Sequence, residues 1–276
     1  MMTCLKSFLQ TIYSAMTNIL LTISYDGTDF CGWQRQDKSD AGQPVRTIQG
    51  EIESALEKMF RCHINLYGSG RTDSGVHAAG QAANFLSPVD TIPEKNYVRA
   101  LNGLLPHDIR IMKAEKVSED FNARFNATSR MYRYFIHTES VPLAKDTRFV
   151  WYIPNRPNID KLNEMCSFLH GELDCATFSA AGDQSISTKR YIDNARFFVD
   201  SSNKDVLVFE IEANAFLWRM IRSLTGTLIQ CEQKGKDPSY FKEILDSCDR
   251  SRALMTAPPT GLFLWTIKFD GIRRHI

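Results

Sequence analysis

The sequence predicts an α+β protein built in two halves, each made of strands and helices that alternate along the chain. Three observations predict it. Apolar residues recur with period two in short runs in both halves, helical-period segments with start and stop residues separate those runs, and the chain of 276 residues suits one large domain or two of about 100 to 150.

In chain order, Ile19, Leu21, Ile23 and Tyr25 alternate with Leu20, Thr22 and Ser24, the pattern of a strand with one buried face. After the loop "DGTDFCGWQRQDKSDAGQPV", Ile48, Ile52, Ala55, Leu56 and Met59 recur at helical spacing behind Thr47 as cap. "HINLYGSG" reads as a strand, as does "QAANFLS", with "PEKNYVRALNGLL" a helix begun by Pro93 and "DIRIMKAEKV" a further strand. Strand, helix, strand, strand, helix, strand is the ferredoxin-like order. The second half repeats the idea less clearly. "MYRYFIHT" is a strand, "NIDKLNEMCSFLHG" a helix, and "ARFFVDS" and "VLVFEIEA" a hairpin across "SNKD". "AFLWRMIRSLTGTLIQCEQ" reads as one long helix, "PSYFKEILDS" as a short one and "LFLWTIKF" as a closing strand. The halves, expected as residues 17–122 and 123–276, meet near Glu119 to Asn126, and ligands favour such junctions. Residues 1–16 read as a poorly packed extension, with Met16 as an alternative start.

The formal net charge of +1 does not advertise a nucleic-acid binder, so any such contact needs a local patch. The seven cysteines are scattered, without a CxxC pair or a His at zinc-ligand spacing, which predicts reduced thiols, no metal and a cytoplasmic location. Polar residues interrupt the apolar start, and no run of 18 uncharged apolar residues occurs, so neither a signal peptide nor a membrane span is expected.

The chemistry concentrates in "GSGRTDSGVHAAG", Gly68 to Gly80, where glycines let another molecule approach the main chain and present Asp73. Gly75 stands one residue too far for GxGxxG, and Val76-His77 replaces the Lys-Ser/Thr of a phosphate loop. "DSG" mimics an aspartic-protease triplet, but no second copy occurs. Spacing alone leaves Asp73 open between capping a turn and catalysis. Arg222 stands among Met220, Ile221 and Leu224; such a guanidinium either finds an anion or snorkels to water on its long stem. Tyr132 shares a strand face with Tyr134 and Ile136, near Arg124, Arg130 and Arg133. Aromatic rings among arginines suit stacking on an unpaired base with phosphate contact, although strand aromatics are commonly plain core. His77 reads as a hydrogen-bonding loop residue, with no proton transfer assigned to it.

"GSGRTDSGVHAAGQAANF" resembles the signature of the bacterial tRNA pseudouridine synthase A family, G-R-T-D-x-G-V-H-A around an aspartate. Collinear matches follow over residues 18–269: "LLTISYDGTDFCGWQRQ", "TIQGEIESAL", "LNGLLPHDIRI", "FNARFNATSRMYRYFI", "NAFLWRMIRSLTGTL" and "APPTGLFLWTIKF". Each is weak alone; together, in order, they are specific. The resemblance implies isomerisation of uridine to pseudouridine at tRNA positions 38, 39 and 40, in the anticodon arm, without metal or organic cofactor. It implies Asp73 as nucleophile, Tyr132 as the ring stacked on the target uracil and a participant in proton removal from carbon 5, and Arg222 as the ion-pair partner of Asp73. Arg71 becomes a candidate for entering the RNA, and Arg124 and Arg130 further substrate contacts. The resemblance also implies a homodimer, and two ferredoxin-like (RNP-like) halves sharing an extended mixed sheet, with helices on one side and a basic catalytic cleft on the other. Ser74, Ser223 and Asn122 depart from the usual pattern, Ser223 with the expected loss of a local hydrogen bond.

Overall fold

The computed structural model describes residues 16–36 and 45–274, so the expected extension lies almost wholly outside the described residues. The strands are β1 (Thr17–Tyr25), β2 (Tyr67–Gly68), β3 (His77–Ser87), β4 (Ile109–Val117), β5 (Ser129–Thr138), β6 (Trp151–Ile153), β7 (Gly171–Asp174), β8 (Lys189–Val199), β9 (Val206–Ala213) and β10 (Leu262–Lys268). The helices are α1 (Ile48–Phe60), α2 (Glu94–Leu104), α3 (Ile159–Cys166), α4 (Met220–Gln233) and α5 (Pro238–Asp246). The α+β class predicted from the sequence and the extended mixed sheet implied by the resemblance are what the chain forms.

One ten-stranded sheet runs β4-β1-β3-β10-β5-β9-β8-β7, with β2 attached to β3 and β6 to β5. Within the first half, β1 pairs antiparallel with both β3 and β4, and β2 antiparallel with β3, as the ferredoxin-like order requires. The last strand, β10, lies between β3 and β5: it runs parallel to β3 and antiparallel to β5. Its Leu264 stands opposite Ala78 on one side and Tyr132 on the other. Two strand spacings, about 10 Å, therefore separate Tyr132 from the start of β3.

Local chemistry sets the helices. Thr47 caps α1 by accepting the Gly50 amide at 3.3 Å, and Arg61, left-handed at φ 59°, ends it. Such a cap is worth about 1 kcal/mol. Ile48, Ile52 and Leu56 of α1, Tyr97 and Leu101 of α2 and Ile19, Leu21 and Ile23 of β1 form one buried cluster. That cluster continues through Tyr132, Tyr134, Phe209 and Ile211 to Met220, Leu224 and Leu228 of α4. Each fully buried side chain of this size contributes about 1.5–3 kcal/mol.

The structure corrects several boundaries. The long helix begins at Met220, because Arg219 is left-handed at φ 58° and the preceding residues hydrogen-bond elsewhere. The Trp218 carbonyl accepts the Ala180 amide at 3.0 Å, and its own amide donates to the Asp183 carboxylate. Residues 216–218 therefore form a loop, and Arg222 sits in the first turn of α4. The "HINLYGSG" strand shrinks to the two residues of β2, whereas β3 starts earlier than expected, at His77. The helix α3 stops at Cys166, where the Leu169 amide turns back to the Cys166 carbonyl at 2.8 Å. Among the described residues no helix is long and apolar enough to cross a membrane.

Candidate active site

Asp73 lies in the loop between β2 and β3, and the loop after β1 braces it from behind. The Trp33 amide donates to the Thr72 carbonyl at 3.1 Å, and the Ser74 hydroxyl to the Phe30 carbonyl at 3.1 Å. The Tyr25 and Thr72 hydroxyls are 2.8 Å apart and hydrogen-bonded. Two glycines make the approach possible. A Cβ on Gly27 would lie 1.9 Å from the Val76 carbonyl oxygen, and one on Gly32 2.6 Å from that of Thr72. The glycine-rich character of both loops is thus needed for backbone-to-backbone contact.

His77 completes the brace. It is fully buried, stacked on Phe263 with ring centroids 4.6 Å apart, and its Nδ1 accepts the Gly27 amide at 3.1 Å. Burial lowers its pKa, against the opposing pull of Asp26, whose Oδ1 is 3.2 Å from Nδ1. An accepting Nδ1 and a dry site both favour the neutral ring. His77 is therefore the first residue of a strand inside the core, where the sequence reading expects a loop residue, because its ring packs on Phe263 and its Nδ1 takes the Gly27 amide.

The carboxylate of Asp73 is held at both oxygens. The Arg222 Nη1 stands 3.4 Å from Oδ2, and the Trp218 indole Nε1 donates to Oδ1 at 2.9 Å. The Arg222 Nε donates to the Ala257 carbonyl at 2.8 Å, while the Ala257 amide returns to the Arg222 carbonyl at 3.0 Å. The guanidinium is thus aimed from both ends. Of the two readings of Arg222, the paired one is observed, and the pair joins residues 149 positions apart. Capping by the Asp73 carboxylate is not: its side-chain partners are both from the second half.

Tyr132 packs edge-on against Phe216, with ring centroids 5.2 Å apart, and is 8% exposed. Burial raises its hydroxyl above the usual phenol range, with opposing help from Arg130 and a smaller push from Asp73. Its strand stands two places from β3, and the Asp73 carboxylate adds to that rise, so Tyr132 shares the electrostatic surroundings of the Asp73–Arg222 pair. Arg71 is exposed and makes no hydrogen bond or ion pair among the described residues. Arg124 is exposed beside Phe125, 6.0 Å from that ring's centroid.

Arg130 is placed differently. Its guanidinium donates to the Asn214, Ser69 and Arg124 carbonyls at 2.6, 3.2 and 3.1 Å. It ties the approach to the Asp73 loop, the 124 turn and the approach to Trp218 together, and burial lowers its pKa. The Ser223 hydroxyl keeps a bond, accepting from Arg250 at 2.9 Å. Trp218 was missed in the sequence, where "FLWRM" reads as a helix continuing into Arg222; its place four residues before that arginine was the available signal.

The family model described as tRNA pseudouridine synthase matches residues 21–126 and 165–270. The chain belongs to the tRNA pseudouridine synthase family. Among relatives, tRNA pseudouridine synthase A of Treponema denticola is 54% identical over 252 residues, 91% of this chain and 92% of that protein. The protein of the same name from Brachyspira hyodysenteriae is 41% identical, covering 90% of this chain and 96% of its own. That of Fervidobacterium nodosum is 39% identical, covering 92% and 100%. Pseudouridine synthases are isomerases, and the Asp73, Tyr132 and Arg222 group lies within the matched length except for Tyr132, which falls between the two matched segments.

Proposed function

We propose that this chain isomerises uridine to pseudouridine at positions 38, 39 and 40 in the anticodon arm of tRNA, with Asp73 as the nucleophile. The observation that supports this most directly is the convergence on Asp73: a carboxylate on a glycine-braced loop, 22% exposed, with Arg222 on one oxygen. The N1–C1′ bond must break and a C5–C1′ bond form, with loss of the proton on carbon 5 and gain of one on N1. The base cannot turn while stacked, so it has to be flipped out. A carboxylate then opens the sequence by attack on the ribose or on carbon 6, or by assisting loss of the base to a glycal, without requiring a metal.

In this reading Tyr132 offers its ring face to the flipped uracil, its hydroxyl remaining protonated in the free protein. Arg71 and Arg124 meet phosphates, and Arg71 enters the RNA to hold the target nucleotide out. Arg130 holds the surrounding loops, with a substrate contact left to its remaining donors. The protein acts as a cytoplasmic homodimer, with residues 17–122 supplying the aspartate loop and residues 123–276 the tyrosine and arginine.

The test is tritium release from a tRNA transcript labelled at carbon 5 of uridine, comparing the parent with Asp73→Asn. Release by the parent alone, mapped to positions 38 to 40, is expected. A folded, tRNA-binding parent that releases nothing from several tRNAs carrying those uridines would favour a catalytically silent RNA-binding module of the same fold.

A further inference from the structure

Trp218 is the closer of the two side chains on Asp73. Its indole donates to Oδ1 at 2.9 Å, whereas Arg222 stands 3.4 Å from Oδ2. We propose that Trp218 is a positioning residue for the nucleophile: it fixes the orientation of the Asp73 carboxylate through a neutral donor, leaving charge pairing to Arg222. This rests on the reading of Asp73 as the nucleophile.

An indole N–H can donate a hydrogen bond but not accept one, and it is too weak an acid to give up its proton in a catalytic step at working pH, so the contact can orient and cannot act as acid or base. A single donor would leave the carboxylate plane free to rotate about its terminal torsion, which is broad and roughly two-fold. Two donors, one on each oxygen, define that plane. The division matters for a nucleophile. A second cation at Oδ1 would hold the anion more strongly and oppose attack, whereas a neutral donor sets direction with less of that penalty.

Trp218 is itself held, although 43% exposed. Its amide donates to the Asp183 carboxylate, and its carbonyl accepts the Ala180 amide at 3.0 Å. A Cβ on Gly182, which is left-handed at φ +88°, would be 3.6 Å from the indole ring. Arg219 covers the ring at 4.7 Å from its centroid. The 180–183 loop thus holds Trp218 through both its main-chain amide and its carbonyl, which gives that loop's conformation a purpose.

The experiment compares the parent, Trp218→Phe and Trp218→His in single-turnover pseudouridine formation on a saturating tRNA transcript, with tRNA affinity and melting temperature measured alongside. Phe keeps an aromatic ring without the donor; His restores an N–H. The expected result is a rate about 10- to 100-fold lower for Trp218→Phe, the scale of a small misplacement of a reacting group, with affinity unchanged and much of the rate recovered by Trp218→His. An active parent whose Trp218→Phe variant keeps the parental rate, or loses only affinity, overturns the role. So does a His variant as slow as Phe. A parent that makes no pseudouridine overturns the reaction itself, and with it this role. A second measurement needs neither activity nor a Trp218 variant. Of the four indole N–H resonances in nitrogen-15 spectra, that of Trp218 should move on Asp73→Asn substitution; an unmoved resonance overturns the contact.

Discussion

Gly32 and Asp73 occupy adjoining space across the two loops: a Cβ on Gly32 would stand 3.2 Å from the Asp73 carbonyl carbon and 2.6 Å from the Thr72 carbonyl oxygen. Gly32 is also left-handed at φ +91°, so a side chain is opposed by both the backbone and the neighbour. Gly32→Ala should lower the melting temperature and push the Asp73 loop outward. A shift of about 1 Å costs about 100-fold in rate. Steady-state kinetics on a tRNA transcript check this, and a variant with parental kcat would show that the loop tolerates displacement.

Arg222 uses two edges of its guanidinium, Nε on the Ala257 carbonyl and Nη1 on Asp73. A lysine has one ammonium on a flexible stem and cannot reproduce that fork. Arg222→Lys should therefore keep the positive charge yet slow the single-turnover rate about 100-fold, the lower end of the range found for removing one aimed donor. Affinity for tRNA should change little. A lysine variant with the parental rate would mean that charge alone suffices at this position.

What the sequence made legible was local or periodic. Thr47 as a cap, the buried alternation of Ile19 to Tyr25 and the glycine-rich setting of Asp73 all follow from neighbours in the chain. What it hid depends on distant partners. Strand β2 keeps only two residues, and β10, from the far end of the chain, pairs with the start of β3. Helix α4 is shortened by bonds to the 180–183 loop, which no helical period can reveal. The same loop puts Trp218 on Asp73. In the site, Arg222 was legible as a cation needing a partner, whereas Arg130, flanked by the same strand's aromatics, gave no sign that main-chain carbonyls would take its donors.

His77 gives the fold a pH dependence. Burial lowers its folded pKa, so between that value and the unfolded value of about 6.5 the unfolded chain binds a proton that the native protein refuses. Stability is fully present above the unfolded pKa and falls as pH drops below it, by at most about 1.4 kcal/mol per pH unit from this group. Protonation at Nδ1 would also set a hydrogen against the Gly27 amide that now donates there. Urea unfolding between pH 7.5 and 5.5 should show a shallower pH slope for His77→Asn than for the parent. Equal slopes would assign the acid sensitivity elsewhere.

Salt dependence tests the cationic rim of the site. The net charge of +1 gives no general attraction to RNA, so affinity must come from local arginines. Arg71 and Arg124 are exposed without carboxylate partners among the described residues, and Arg219 lies exposed on Trp218. Each phosphate contact they make releases counterions, so log affinity for tRNA should fall linearly with log salt, by about 0.7–0.9 per phosphate neutralised. Arg71→Ala should weaken binding and reduce that slope by about 1. A slope unchanged by the substitution would place Arg71 off the phosphate backbone, and a flat response in the parent would mean that tRNA is gripped by shape and stacking with little help from charge.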